Sequence, residues 1–442
     1  MNRRTLLMGA VALGAIPFTA MGWREATLAH AQTSITEAIA LTEVFGDGLK
    51  FTAVAVRFDR DIADGEIATS SFTVQNRTVT RVYANTVPAV TAVPRSGPYV
   101  IVELSASDDA SLWQTPQGGG QALGEPSTGG PPAAGEVGPA PTVLDAVGLI
   151  TQTGPVTAAD GTTLASTERA VATTRALSPI IDTFQQLEFV DPKNSNTLPY
   201  NLFVPRDLQP DRQYPLVLFM HDASVVGAPT VGALAQGLGA VAWAQPDDQA
   251  RHECFVVAPQ YPTVVVDDNY EPTTYFDTTI RLIEALTKQY RIDPARRYAT
   301  GQSMGAMMAI GMNIARPEMF AASYIVAGQW PVDQTGPLAT ERLWITVAQD
   351  DSKAYPGQNA ITELAEHNGA HVTRAIWNGH NDQQFSAEVG AVAAEQSPIN
   401  YVAFAAGTVG AGEISGGSAH MGTWRIAYNI PGIRDWIMSQ RR

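Results

Sequence analysis

The hydrophobic rhythm of this chain changes once, near residue 176, and that change restricts its possible folds more than any other feature. From Ile35 to about Ala106 apolar and polar residues alternate, as in Phe51-Thr52-Ala53-Val54-Ala55-Val56-Arg57-Phe58 and Tyr99-Val100-Ile101-Val102-Glu103-Leu104. Successive side chains of a strand point to opposite faces, so short alternating runs separated by Gly, Asp and Asn predict a small β-sandwich. After about Ala176, apolar runs alternate instead with helical periodicity, the pattern of a mostly parallel sheet flanked by helices. Strands are expected at Tyr200 to Val204, Leu216 to Met220, Phe255 to Ala258, Arg297 to Thr300, Ser323 to Val326, Leu343 to Val347 and Val372 to Ile376. The clearest helix carries Phe276, Ile280, Ile283 and Tyr290 on one face and ends before Asp293-Pro294. Polar stretches at Asp267 to Thr274 and Asp382 to Gly417 read as loops. Between the two regimes, Gln117 to Pro141 is dominated by Gly, Pro, Ala and Ser, too poor in apolar surface to order itself, and reads as a linker or long loop. The expected divisions are an export signal over 1–31, a β domain over 32–115, a Gly/Pro-rich linker or extended loop over 116–175, and an α/β catalytic domain over 176–442.

The first residues carry their own signal. Asn2-Arg3-Arg4-Thr5-Leu6-Leu7 leads into an apolar stretch from Met8 to about Met21, followed by Ala29-His30-Ala31. A charged start, an apolar middle and a small-x-small triplet predict export with cleavage after Ala31, and the paired arginines point to the twin-arginine route. The apolar stretch is shorter than the ~20 residues a membrane span needs. A periplasmic or extracellular protein is expected, with no membrane association once the signal is removed.

A net charge of −15 becomes more negative when residues 1–31 leave with Arg3, Arg4, Arg24 and Glu25. Such a surface repels nucleic acid and anionic lipid and favours neutral substrates. The single cysteine, Cys254, lies in the apolar run Cys254-Phe255-Val256-Val257-Ala258, which excludes an intramolecular disulfide and predicts a buried, inert thiol. No His, Cys and carboxylate cluster has metal-ligand spacing, and neither metal nor cofactor is expected.

The chemistry centres on Gly301-Gln302-Ser303-Met304-Gly305, a G-x-S-x-G motif between the strand ending at Thr300 and an alanine-rich helix over Ala306 to Ala315. In a chain so rich in glycine the five letters mean little, but the strand-turn-helix setting gives them a mechanism. The turn is strained, small residues on either side relieve crowding, and the serine Oγ projects above the sheet at a helix N-terminus. A serine hydroxyl is too weakly acidic to attack an acyl carbon unaided, so a histidine must take its proton and a carboxylate must hold that histidine. The chain order in this fold is Ser, acid, His. The strand Leu343 to Val347 runs into Asp350 and Asp351, either of which stands where the acid belongs, and both His380 and His420 lie downstream. The oxyanion needs two backbone N–H donors. Met304 offers one, and the loop His221-Asp222-Ala223-Ser224 after the strand Leu216 to Met220 is expected to supply the other, at Asp222.

With these residues in place the chain resembles exported esterases that carry an immunoglobulin-like N-terminal domain ahead of an α/β-hydrolase domain related to polyhydroxybutyrate depolymerases and feruloyl esterases. The resemblance rests on Tyr200 to Pro205, Tyr214 to His221, Gly301 to Gly305 and Trp424 to Arg441, and covers most of the chain beyond the signal. It implies an α/β-hydrolase fold preceded by an immunoglobulin-like sandwich. The family closes with a histidine shortly before a Trp, a Tyr and an Asp-Trp pair, which His420, Trp424, Tyr428, Asp435 and Trp436 match, so the resemblance favours His420 over His380. It likewise favours Asp351, ahead of Pro356-Gly357, over Asp350. One departure is Asp222, where relatives have glycine after the histidine; a side chain there is expected to narrow the pocket or weaken turnover.

The function expected is that of a serine carboxylic-ester hydrolase acting through an acyl-enzyme on short-chain or aryl esters, whether small molecules or linked to a polymer. Two other readings are a serine peptidase of prolyl-oligopeptidase-like type and a catalytically weak protein that binds a polymer.

Overall fold

A computed structural model describes residues 34–115, 132–410 and 416–442. The expected export signal lies outside the described residues, as does most of the Gly/Pro-rich stretch.

The first half is all β. Strands β1 (Ile35–Phe45), β2 (Gly48–Ile62), β3 (Phe72–Val74), β4 (Val79–Asn85), β5 (Gly97–Leu104) and the short β6 (Trp113–Gln114) precede the linker. Beyond it come β7 (Thr142–Val143), β8 (Leu149–Gln152), β9 (Val156–Thr157), β10 (Thr163–Leu164), β11 (Ala170–Ala172) and β12 (Arg175–Leu177). A five-stranded sheet of order β12-β1-β2-β5-β4 and a three-stranded sheet of order β11-β8-β3 share a core that includes Val54, Val56, Val82, Val100, Phe72, Val74 and Ile150. This corrects the expected domain limits, since residues 142–177 are not linker. They return across the sandwich and complete both sheets, β8 pairing with β3 and β12 running parallel to β1.

The second half is an α/β-hydrolase fold. Its strands are β13 (Phe184–Val190), β14 (Thr197–Phe203), β15 (Tyr214–Met220), β16 (Phe255–Pro259), β17 (Ile292–Gln302), β18 (Ala322–Val326), β19 (Leu343–Ala348), β20 (Val372–Trp377) and β21 (Ile399–Phe404). They form one nine-stranded sheet of order β13-β14-β16-β15-β17-β18-β19-β21-β20, antiparallel over its first pairings and parallel from β16 onward. Parallel strands buried on both faces need continuous apolar runs, and β15, β18 and β19 are buried at every residue. The helices are α1 (Gly232–Ala235), α2 (Leu238–Val241), α3 (Pro246–Arg251), α4 (Thr274–Gln289), α5 (Met304–Ala315), α6 (Ala354–His367), α7 (Phe385–Ala394), α8 (Gly416–Ala427) and α9 (Pro431–Ser439).

A second correction falls on Asp382 to Gly417, expected as loop. It contains α7 and β21, and β21 lies inside the sheet between β19 and β20. The catalytic histidine candidates therefore flank a full strand-and-helix unit: His380 precedes it and His420 follows it.

Candidate active site

The G-x-S-x-G turn joins β17 to α5. Ser303 takes φ 51° and ψ −118°, a left-handed conformation that a residue with a Cβ rarely adopts. Neighbouring positions explain why this strain is held. A Cβ on Gly301 would stand 2.4 Å from the Gly305 carbonyl carbon, and a Cβ on Gly305 would stand 1.9 Å from the Met220 carbonyl oxygen. Only glycine lets β17, α5 and the end of β15 close together at this turn. The Ser303 N–H donates to the Val326 carbonyl at 3.1 Å, and the Ser303 carbonyl accepts from the Met307 N–H at 2.9 Å as the first helical bond of α5. The Met304 N–H is thereby one of the first-turn donors that a helix leaves without an internal acceptor.

Three side chains converge here. The Ser303 Oγ lies 2.9 Å from His420 Nε2, and His420 Nδ1 lies 2.5 Å from Asp351 Oδ2. His420 sits on α8, its ring edge-on to Trp424 with centroids 5.1 Å apart. Asp351 is buried where β19 gives way to α6, and its other oxygen accepts the backbone N–H groups of Lys353 at 3.1 Å and Ala354 at 2.9 Å. Burial alone would raise the Asp351 pKa, but the His420 hydrogen bond and charge, with the two N–H donors, outweigh it and hold the carboxyl below its ordinary value. An ionised Asp351 accepting at Nδ1 leaves Nε2 facing Ser303, the tautomer that can take a proton.

The structure does not bring the other sequence candidates to Ser303. Asp350 accepts the Gly407 N–H at 2.6 Å, so it pins the loop after β21. His380 is exposed beyond β20, the edge strand of the sheet, where its own N–H caps onto Asn378 Oδ1 at 3.0 Å.

Asp222 is buried in the loop after β15. Its Oδ1 accepts the Ser224 N–H at 2.9 Å and the Ser224 hydroxyl, and its Oδ2 accepts Gln302 Nε2 at 2.8 Å. All its carboxylate contacts are structural, so instead of projecting as a loose charge it caps the following turn and ties this loop to the residue before Ser303. His221 is fully buried, and burial lowers its pKa. Its Nδ1–H donates to the Asp222 carbonyl at 2.8 Å and its Nε2 accepts the Tyr261 N–H at 2.9 Å, fixing the loop against the segment after β16. Gln302, Ser224 and Tyr261 were invisible as site residues in the sequence; their only local signal is that they flank the motif or the ends of β15 and β16.

The N-terminal half reaches this region twice. The Gly46 turn between β1 and β2 packs on α8, a Cβ there standing 2.5 Å from the Arg425 carbonyl oxygen. Near the end of the Gly/Pro-rich stretch, Gly135 and Glu136 exchange backbone hydrogen bonds with Val264, both at 2.9 Å, and Asp267 accepts the Ala134 N–H at 3.0 Å. The next residue, Val265, donates its N–H to Met304 Sδ at 3.3 Å.

The fold and the arrangement at Ser303 define a two-domain member of the α/β-hydrolase class. A family model described as "Putative esterase" matches residues 198–427, and the chain belongs to that family. A second, described as "Esterase Ig-like N-terminal domain", matches residues 37–165, which agrees with the return of the chain past the linker to complete the sandwich. Among solved structures, a thermostable esterase superposes with a TM-score of 0.74 at 25% identity, over 92% of this chain and 100% of that one. The ferulic acid esterase of Anaeromyces mucronatus matches at 12% identity and a TM-score of 0.39, over 58% of this chain and 90% of that one. No curated protein matches the chain.

Proposed function

We propose that this esterase is a serine carboxylic-ester hydrolase in which Ser303 is the nucleophile, His420 the general base and acid, and Asp351 the residue that orients and charges-balances His420. The observation that carries the reading is the unbroken chain from the strained Ser303 through His420 to the buried, N–H-solvated Asp351. His420 Nε2 takes the Oγ proton as Ser303 adds to the ester carbonyl, Asp351 stabilises the imidazolium, and the protonated Nε2 passes its proton to the leaving alcohol. Water then attacks the acyl-enzyme by the same steps in reverse. The Met304 N–H and the N–H of Asp222 are the proposed donors to the oxyanion, each worth about 3 kcal/mol of barrier. Short-chain or aryl esters, free or polymer-linked, are the proposed substrates, and export through the twin-arginine signal is the proposed route to them.

Hydrolysis of p-nitrophenyl acetate and butyrate by the chain lacking residues 1–31 tests this directly. Activity in the parent that disappears in both Ser303→Ala and His420→Ala, with His380→Ala unaffected, is the expected result. A folded parent without activity on either ester overturns the reading.

A further inference from the structure

The start of α6 holds the Asp351 carboxylate, and that start is itself tied down from elsewhere in the fold. Lys353, at the N-terminal boundary of the helix, gives it no side-chain cap. Asp351 takes that part: its Oδ1 accepts the N–H groups of Lys353 at 3.1 Å and Ala354 at 2.9 Å, while its Oδ2 faces His420. The aim of the carboxylate therefore depends on where the first turn of α6 stands.

A closed ring of contacts sets that position. The Lys353 ammonium pairs with the Asp268 carboxylate, in the loop after β16. The other Asp268 oxygen accepts Gln329 Nε2 at 3.0 Å, from the loop after β18. Gln329 lies against Gly357 of α6, where an added Cβ would stand 2.9 Å from the Gln329 Cβ, and the Gly357 N–H donates back to the Lys353 carbonyl at 3.2 Å. The next residue, Gln358, donates its Nε2 to the Gly328 carbonyl at 2.6 Å and fastens the helix to the same loop. Asp268 is anchored in turn, because Asp267 accepts the N–H groups of Ala134 at 3.0 Å and Asn269 at 2.9 Å.

The side chains of Lys353 and Asp268 are 63% and 44% exposed, and an ion pair so open to water contributes only about 0–1 kcal/mol to stability. Its place in the chain distinguishes it, since the ammonium that meets Asp268 and the N–H that Asp351 accepts belong to one residue. We propose that Lys353 and Asp268 are positioning residues for Asp351, their ion pair fixing the start of α6 so that the carboxylate keeps its line to His420. The inference rests on the reading of Ser303, His420 and Asp351 given above.

The test follows p-nitrophenyl butyrate hydrolysis by the parent and by Lys353→Met, Asp268→Ala, the double variant, Lys353→Arg and Asp351→Ala, with urea unfolding of each. Lys353→Met and Asp268→Ala shift the local charge in opposite senses but cut the same tie, so a common loss reports position and opposite changes report charge. Each is expected to lower kcat about three- to tenfold at unchanged KM and a nearly unchanged urea midpoint. The double variant is expected to fall no further than the worse single one, and Lys353→Arg to keep most of the parent's kcat. Parental kcat in both single variants, kcat changes of opposite sign, or losses that multiply in the double variant overturn the positioning role. They leave the esterase reading standing as long as Asp351→Ala is inactive. A parent without activity, or Asp351→Ala with the parent's kcat, overturns both.

Discussion

Gln302 donates its side-chain amide to the buried Asp222 carboxylate at 2.8 Å, and this one bond couples the residue before Ser303 to the loop after β15. Gln302 also donates to Gln236 Oε1 at 3.0 Å, so the buried amide is shared between two acceptors. Removing one partner leaves a buried polar group unpaired, which costs about 1–3 kcal/mol. Asp222→Ala is therefore expected to lower stability by about 2 kcal/mol and to reduce kcat more than KM, because the loop's N–H, proposed as an oxyanion donor, would no longer be held in place. Denaturant unfolding and p-nitrophenyl butyrate kinetics on the same preparation check both parts; a drop in stability with kcat intact would show that the loop keeps its aim without the carboxylate.

The glycines of the chain divide sharply by what surrounds them. Gly305→Ala would drive a Cβ to 1.9 Å from the Met220 carbonyl oxygen, backbone against backbone, with no side chain able to move aside. Loss of folded protein, or of all activity in whatever folds, is expected. Gly390, inside α7, meets nothing within 4 Å, and there an alanine is expected to raise stability by about 0.5–1 kcal/mol through helix propensity alone. Thermal unfolding of the two variants beside the parent measures the contrast.

Asp191 and Arg281 give the molecule a pH-dependent tie between the end of β13 and α4. Arg281 Nε donates to both Asp191 oxygens at 2.8 and 2.9 Å, Arg281 Nη2 adds a bond at 2.6 Å, and the Thr278 hydroxyl adds another at 2.6 Å. Led by the Arg281 hydrogen bonds, these hold the Asp191 pKa down at about 2. A folded value below the unfolded one means that the contribution is present in full above about pH 4, the unfolded carboxyl range, and is lost as pH falls through about 2. Arg281→Met is expected to cost about 2 kcal/mol at pH 7. The gap in urea midpoint between parent and variant should hold from pH 7 to 5 and narrow from pH 4 downward; a gap constant to pH 3 would assign the loss to packing instead.

How far the sequence disclosed this molecule depends on the range of the forces involved. The strands β15 and β16 were legible because each is a continuous apolar run that has no other stable place than a buried parallel sheet, and β18 and β19 because only a small hydroxyl, Ser323 or Thr346, interrupts theirs. The strand β21 was not, because Asn400 is buried within Ile399–Phe404 and breaks the apolar run; only the neighbours β19 and β20 make its burial tolerable. The short strands β8, β11 and β12 have no local signal either, since three or four residues carry no measurable period and their pairing partners are distant, as with Ile39 and Arg175. At the site, the elbow was readable because strand, turn and helix are contiguous. The pairings of His420 with Ser303 and Asp351 span 117 and 69 residues, and nothing local to Asp350 or His380 excludes them. The resemblance pointed to His420 and Asp351, and the structure brings those two to Ser303 while sending Asp350 to Gly407 and His380 past the sheet edge.

The Gly46 turn offers a way to ask whether the N-terminal sandwich serves catalysis or only stability. It meets the Arg425 carbonyl on α8, five residues and hence more than one turn from His420, so any displacement there is transmitted along a single rigid helix. A Cβ at position 46 would stand 2.5 Å from that oxygen, too close for the present packing, and the Gly46→Ala variant must either push the sandwich off α8 or push α8 itself. If α8 moves, the 2.9 Å contact between His420 Nε2 and Ser303 Oγ lengthens, and kcat is expected to fall about tenfold with the unfolding temperature nearly unchanged. If the sandwich moves instead, kcat is retained and the two domains unfold as separate calorimetric transitions, since the contact that couples them has been weakened. Calorimetry and single-turnover kinetics on Gly46→Ala distinguish the two, and a variant identical to the parent in both would show that this contact carries no coupling between the sandwich and α8.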